Sequence, residues 1–285
     1  MDVKRSQGKY WALVLGASSG FGGACAVELA KHGYNIFGVH LDRQITMPNV
    51  YQIVKKIEKT GQQAVFFNIN AADPIKRQEV IDEISERFSI DNANPKIKVL
   101  IHSMAFGTLK PYFAANPEDA VSQASMTMTL DVMAHSLVYW TQGLVNANLL
   151  SEGGRIFALT SAGSQTVIPN YGAVSAAKAA LEAHIRQIAV ELGFMKVTAN
   201  AIMAGVTDTP ALRKIPGAEK MLESARLKNP MGKLTVPEEV AKAISHLCEE
   251  SAGWISGNVI GVDGAEYVVN YIGEKVCKPL KAGKK

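Results

Sequence analysis

Short apolar runs alternate with stretches in which apolar residues recur every three or four positions, from one end of the chain to the other. The first kind, rich in Val, Ile, Leu and aromatic residues, reads as buried strand; the second reads as amphipathic helix. Strands are predicted at Tyr10–Leu15, Asn35–His40, Ala64–Ile69, Val99–Ser103, Arg155–Thr160, Val197–Ile202 and Asn258–Val262. Helices are predicted at Gly23–Lys31, Val50–Lys59, Ile75–Phe88, Leu130–Leu144, Tyr171–Leu192 and Val236–Glu249. Strands separated by helices pair in parallel through right-handed crossovers. The pattern therefore specifies an α/β fold with one doubly wound parallel sheet.

Residues 207–230 break the rhythm. They are rich in Pro, Lys and Arg with an apolar Leu/Met pattern, and read as an excursion of the kind that forms a lid or binding loop. With no repeat, linker or composition break, residues 10–270 form one domain. Residues 1–9 are an N-terminal extension, and residues 271–285 a basic tail carrying Lys275, Lys278, Lys281, Lys284 and Lys285.

Composition narrows the possibilities. The 285 residues are 47% hydrophobic and 20% charged, enough for one sizeable core. No apolar run approaches the roughly 18–20 residues of a membrane span, and the start lacks the apolar stretch of a leader peptide. Cys25, Cys248 and Cys277 are odd in number and scattered, which suits reduced thiols in the cytoplasm. No spacing suggests a metal site. The net charge of +4 is mild and partly in the tail, so it gives no case for nucleic acid.

The first candidate chemistry is Gly16-Ala-Ser-Ser-Gly20-Phe-Gly22, between a strand and a helix. Glycines there let the backbone approach a pyrophosphate, and a helix N-terminus offers free N–H groups. Gly16, Ser18, Ser19, Gly20, Phe21 and Gly22 are thus expected to hold a dinucleotide on a Rossmann-type fold; the alternative is a tight turn with no ligand. At the end of the second strand, an acid would bond the ribose hydroxyls and repel a 2′-phosphate. Asp42, twenty positions after Gly22, leaves NADH open, whereas His40 and Arg43 suit the phosphate of NADPH, the cofactor favoured.

The second is Tyr171-Gly-Ala-Val-Ser-Ala-Ala-Lys178, a Tyr and a Lys two turns apart on one helix face. Glycine turn first and Tyr/Lys helix later is the layout of a nicotinamide-dependent oxidoreductase. With the flanks Ile168-Pro-Asn and Ala-Ala-Leu-Glu-Ala, the chain resembles the short-chain dehydrogenase/reductase family, and within it the enoyl-acyl-carrier-protein reductases, from about Lys9 to Val269. The carbonyl-reducing members place the Tyr four positions before the Lys; here that position is Val174, which has no proton to give.

A reason for the displacement lies in the substrate. A ketone accepts hydride on the carbon bearing its oxygen, whereas an enoyl thioester accepts it at the β-carbon, two bonds from the carbonyl carbon. A Tyr moved back by about one turn, roughly 5 Å, meets the oxygen where enolate charge develops.

The resemblance implies roles for further residues. Ile101-His-Ser-Met-Ala-Phe-Gly107 is similar to a run of the enoyl reductases, with Ser103, Met104 and Ala105 beside the cofactor. Asn70 is a further expected cofactor contact. Asp131 replaces a relay Asn of the carbonyl reducers, and either relays protons or bonds a nearby helix backbone. Ser161 stands where carbonyl reducers place a substrate-binding Ser and many enoyl reductases a second Tyr. It either holds the thioester carbonyl or is a polar strand end. Ala204-Gly-Val206-Thr-Asp-Thr209 resembles a loop that clasps the nicotinamide carboxamide, with Val206 and Thr209 carried over.

Phe106 and Met203 are expected to line an apolar substrate pocket with Met104, Met126, Met128, Met133 and Met221, unless those methionines are core. Arg213, Lys214, Lys220, Arg226 and Lys228 would receive an acidic acyl carrier protein or the phosphates of coenzyme A, or else form a solvated face. The implied activity is NADPH-dependent reduction of trans-2-enoyl thioesters in fatty acid synthesis by a homotetramer packed through the helices at Leu130–Leu144 and Tyr171–Leu192. Two rivals stand: a carbonyl or hydroxyl oxidoreductase of the same fold (on a 3-oxoacyl, steroid, sugar or quinone substrate), and a dinucleotide-binding regulator without catalysis.

Overall fold

Seven strands form one all-parallel sheet in the order β3-β2-β1-β4-β5-β6-β7. In this computed structural model, which describes residues 10–270, they are β1 (Tyr10–Leu15), β2 (Asn35–His40), β3 (Ala64–Asn68), β4 (Lys96–His102), β5 (Leu150–Thr160), β6 (Thr198–Ala204) and β7 (Val259–Val262). The expected extension 1–9 and basic tail 271–285, with Cys277 and the five tail lysines, lie outside the described residues.

The helices are α1 (Gly20–Lys31), α2 (Met47–Glu58), α3 (Pro74–Ser89), α4 (Gln123–Leu130), α5 (Ser136–Asn146), α6 (Gly172–Glu191), α7 (Ala218–Lys228) and α8 (Pro237–Leu247). The chain winds outward from β1 to β3, then crosses back to β4 and winds the other way. Between β1 and β4, where Leu15 pairs with His102, the direction reverses and leaves a crevice at the strands' C-terminal ends.

Alternation along β1 sorts two cores. Trp11, Leu13 and Leu15 face a cluster with Ile81 and Ile84 of α3, Leu137 and Trp140 of α5, and Leu181 and Ile185 of α6. Ala12 and Val14 face the other, with Cys25 and Leu29 of α1, Ile53 and Ile57 of α2, and Val240 and Ile244 of α8. Both faces of the sheet are covered, which is why the strands read as continuous apolar runs. Cys25 and Cys248 are both buried, and burial raises the Cys25 thiol.

Two segments differ from expectation. The helix expected from Leu130 begins seven residues earlier, capped by the Ser122 hydroxyl that accepts the Ser125 N–H at 3.2 Å. It continues as α4 and then widens into a π-turn at Asp131–His135 before α5. The early part escapes the apolar pattern because Gln123-Ala-Ser-Met-Thr-Met-Thr buries only Thr129. The excursion 207–230 holds α7, entered through Gly217 at φ +82°. Among the described residues no helix is long and apolar enough to cross a membrane.

Candidate active site

The glycine turn forms one wall of the crevice. Gly16 takes φ +88°, and its N–H and that of Ala17 both donate to the Val39 carbonyl of β2, at 2.8 and 3.0 Å. A Cβ on Gly16 would lie 2.4 Å from the Ser103 carbonyl oxygen, and one on Gly22 would lie 2.1 Å from that of Gly16. Both glycines are therefore obligatory: the turn is pressed against β4 with no space for a methyl group. Ser19 precedes α1 in extended conformation without capping it through its side chain, so the first N–H groups of α1 are left for a ligand. The Thr209 methyl lies 3.6 Å from where a Cβ of Gly20 would be, which brings the loop after β6 across to the turn. These features fit a dinucleotide pyrophosphate.

At the end of β2 the expected contacts divide. His40 is 5% exposed, and its Nδ1 lies 3.0 Å from Asp42 Oδ2, so the imidazole is engaged below the surface rather than offered to a phosphate. Burial pulls the Asp42 carboxyl up, but hydrogen bonds from Thr46, Ser18 and His40 outweigh it and hold the group below the usual range. Asp42 is thus an ionised acid joined to the glycine turn through Ser18, a connection the linear spacing did not reveal. Arg43 is exposed, with no side-chain partner among the described residues. Asn70 lies beyond β3, where its Oδ1 accepts the Ala72 N–H at 3.0 Å.

Across the crevice, Asn170 at φ +62° turns the chain into α6, a left-handed conformation that Asn tolerates better than most residues. Tyr171 follows at the helix N-cap and hydrogen-bonds Ser161. Ser161 also accepts the Gly163 N–H at 3.1 Å, which fixes its hydroxyl. Gly163 is small because the Tyr171 ring sits where its Cβ would be, 2.8 Å away. Burial raises the phenol above its ordinary value and the Ser161 bond lowers it in part, so Tyr171 keeps its proton near neutrality.

Val174, at the position of a carbonyl reducer's Tyr, is 3% exposed and part of the core. Lys178 is 5% exposed; its ammonium donates to the Leu159 carbonyl at 2.7 Å and the Met104 carbonyl at 3.3 Å. Burial pulls Lys178 down to about 8, against the attraction of Glu182 one turn further along α6.

Below this pair lie polar groups that the sequence reading passed over. Glu182 is buried and accepts the Thr160 hydroxyl at 2.6 Å. His102 is fully buried, with Nε2 2.8 Å from Ser136 Oγ. Ser136 spends its only proton on the Val132 carbonyl, so His102 must donate from Nε2. Burial, then the charge of Lys178, lowers His102 to about 3 and keeps it neutral. The run His102-Ser103-Met104 after β4 was the available hint, since a histidine ending a buried strand needs a partner. Asp131 bonds neither Tyr171 nor Lys178; it lines an open groove with Ser122, Gln123, Ala124, Thr127 and Met128.

The remaining segments arrive unevenly. Ser103, Met104 and Ala105 follow β4 beside the glycine turn, and Phe106 is 60% exposed at the mouth. Met133 belongs to the core, while Met104 and Met128 pack against it. Met203 is buried near the C-terminal end of β6, its side chain beside Gly261. The Val206 N–H points inward to Glu266 Oε1 at 3.4 Å, and Thr209 Oγ1 accepts the Leu212 N–H at 3.2 Å. Arg213 is bound bidentately to Asp208, both contacts at 2.5 Å, and also to Glu219. Lys214, Lys220 and Arg226 remain exposed.

A doubly wound sheet with this turn and a buried Tyr/Lys helix defines a dinucleotide-dependent short-chain reductase. Residues 16–265 match the family described as enoyl-(acyl carrier protein) reductase, and the chain belongs to that family of the short-chain dehydrogenase/reductase superfamily. Versicolorin reductase 1 of Dothistroma septosporum is 27% identical over 282 residues, covering 94% of this chain and 99% of that protein. The enoyl-acyl carrier protein reductase of Bacillus cereus, crystallised with NADP+ and indole naphthyridinone, superposes with TM-score 0.80 at 22% identity, over 93% of this chain and 98% of that one. The enoyl-[acyl-carrier-protein] reductase (NADH) of Aquifex aeolicus gives 0.78 at 24% identity, over 93% and 99%. These structural likenesses establish the fold.

Proposed function

We propose that the protein reduces the carbon–carbon double bond of trans-2-enoyl thioesters with NADPH. The observation that carries this reading is the placement of the only phenol on α6: Tyr171 stands at the helix start, seven residues before buried Lys178, bonded to Ser161, while Val174 is sealed in the core. The turn Gly16–Gly22, the first turn of α1 and Thr209 would hold the cofactor, whose nicotinamide supplies hydride to the β-carbon when bound. The hydroxyls of Tyr171 and Ser161 converge to bind the thioester oxygen as it gains charge. Tyr171, protonated near neutrality, can then release its proton to the enolate. Lys178 holds positive charge at neutral pH and has donor capacity beyond its two carbonyl partners.

Exposed Arg43 supports NADPH as the preferred cofactor, although ionised Asp42 opposes a 2′-phosphate. An acyl carrier protein would meet Lys214, Lys220 and Arg226, with Arg213 already committed to its acids. The homotetramer suggested by resemblance belongs to the same proposal and is checked by sedimentation.

A second reading, carbonyl reduction, is favoured by Ser161 and by the likeness to a versicolorin reductase. The test offers purified protein crotonyl and acetoacetyl thioesters separately, with NADPH and then NADH. The proposal expects oxidation of NADPH with the crotonyl substrate, abolished by Tyr171→Phe. Turnover of the keto substrate alone would transfer the case to the second reading.

A further inference from the structure

The turn after β7 ties together the loops that frame the crevice. Asn229, just beyond α7, donates to the Asp263 carbonyl at 2.8 Å. The Tyr267 hydroxyl donates to Gln165 Oε1 at 3.0 Å, reaching the segment that carries Ser161. Between them Glu266 is 7% exposed and points under the loop 204–209. Its Oε1 takes the Val206 N–H, and its Oε2 is buried with no partner among the described residues.

Gly205 exists at this point because of that carboxyl. A Cβ there would lie 2.9 Å from Glu266 Oε2 and 2.4 Å from Thr235 Oγ1. Both oxygens crowd one point beneath the loop, and Oε2 makes no hydrogen bond there among the described residues. Left without a hydrogen bond, an ionised Oε2 in the same place would be an unpaired buried charge, an arrangement that is costly.

We propose that Glu266 is a positioning residue that holds the Gly205–Val206 limb of the crevice loop in its protonated form, so that cofactor affinity depends on its ionisation. The inference rests on the proposed use of loop 204–209 for the nicotinamide. The groups facing the carboxyl are Asp263 on its own turn, Lys228 and Asn229 at the end of α7, Thr235, and the Val206 amide. Burial raises the Glu266 carboxyl above the carboxylate range, with Asp263 acting in the same sense and Val206, Lys228 and Asn229 in the opposite one. Since the folded form favours the proton, the ordered loop is fully populated at low pH and is lost as pH rises through that elevated value.

The test is the dissociation constant for NADPH and for NADH, read by nicotinamide fluorescence without substrate, across pH 5 to 9 for the full chain. Wild type should weaken as pH rises, whereas Glu266→Gln, a neutral isostere, should bind tightly with that component of the pH dependence removed. Glu266→Ala should weaken binding about tenfold at low pH. Glu266→Gln following the wild-type curve at every pH would overturn the proposal, as would Glu266→Ala binding like wild type. A folded wild-type protein that binds neither cofactor would overturn the nicotinamide reading and this inference together.

Discussion

Lys178 illustrates how a residue's chemistry is set by its surroundings. On an exposed helix face it would stay charged well above neutrality. Here its ammonium faces the Leu159 and Met104 carbonyls inside the protein, and burial brings it to about 8. The sign follows: the folded value lies below the ordinary 10.5, so charging the amine opposes folding. The unfavourable contribution is complete below about 8 and relieved as pH rises from there towards 10.5. If catalysis uses the charged form, turnover should fall above pH 8 by about tenfold per pH unit. Lys178→Arg, whose charge does not titrate in this range, should lack that limb even at a lower absolute rate. Pre-steady-state hydride transfer measured from pH 6 to 10 decides it; a limb that survives in Lys178→Arg belongs to another group.

At the scale of elements, the crevice depends on how closely β1, α1 and β4 approach at the glycine turn. Gly22→Ala would drive a methyl group into the Gly16 carbonyl, with the Ser103 Cβ 3.2 Å away and no flexible side-chain end to yield. A loss of about 2 kcal/mol or more is expected, together with loss of cofactor binding. Gly193→Ala is the control, since its Cβ would meet nothing within 4 Å. Thermal melts of the two variants check the contrast, and a Gly22→Ala protein as stable as Gly193→Ala would mean that the turn is looser than described. The π-turn at Asp131–His135 belongs to this scale too. Widening the helix there lets Ser136 keep its Val132 bond while facing His102.

For the molecule as a whole, stability rests on two cores joined by one sheet. Trp140 is the largest fully buried side chain, and its indole N–H donates to the Ala71 carbonyl at 2.9 Å across the gap to the β3–α3 connection. Trp140→Ala removes both packing and that bond, for a loss of about 3–5 kcal/mol and a Tm lower by roughly 10 °C. Calorimetry reads the effect; a shift of a degree or two would show that the α5 core can collapse around the gap.

The strand pattern, the glycine turn and the Tyr–Lys spacing were readable because each depends on neighbours close in sequence. A run of Val and Leu needs burial on both faces whatever covers it, and a seven-residue interval on a helix fixes a face. The parallel order followed from crossover handedness. Other features needed the tertiary structure because they join segments far apart in the chain: Ser161 to Tyr171, Ser18 to Asp42, His102 to Ser136, and Glu266 to Val206. His40 looked available at a strand end but proved buried, and Arg213 looked free but proved paired, because exposure and ion pairing depend on what the rest of the chain brings alongside. Local covalent order decides which groups can reach a helix face or strand end. Only packing decides which of them meet, lose water and change their chemistry.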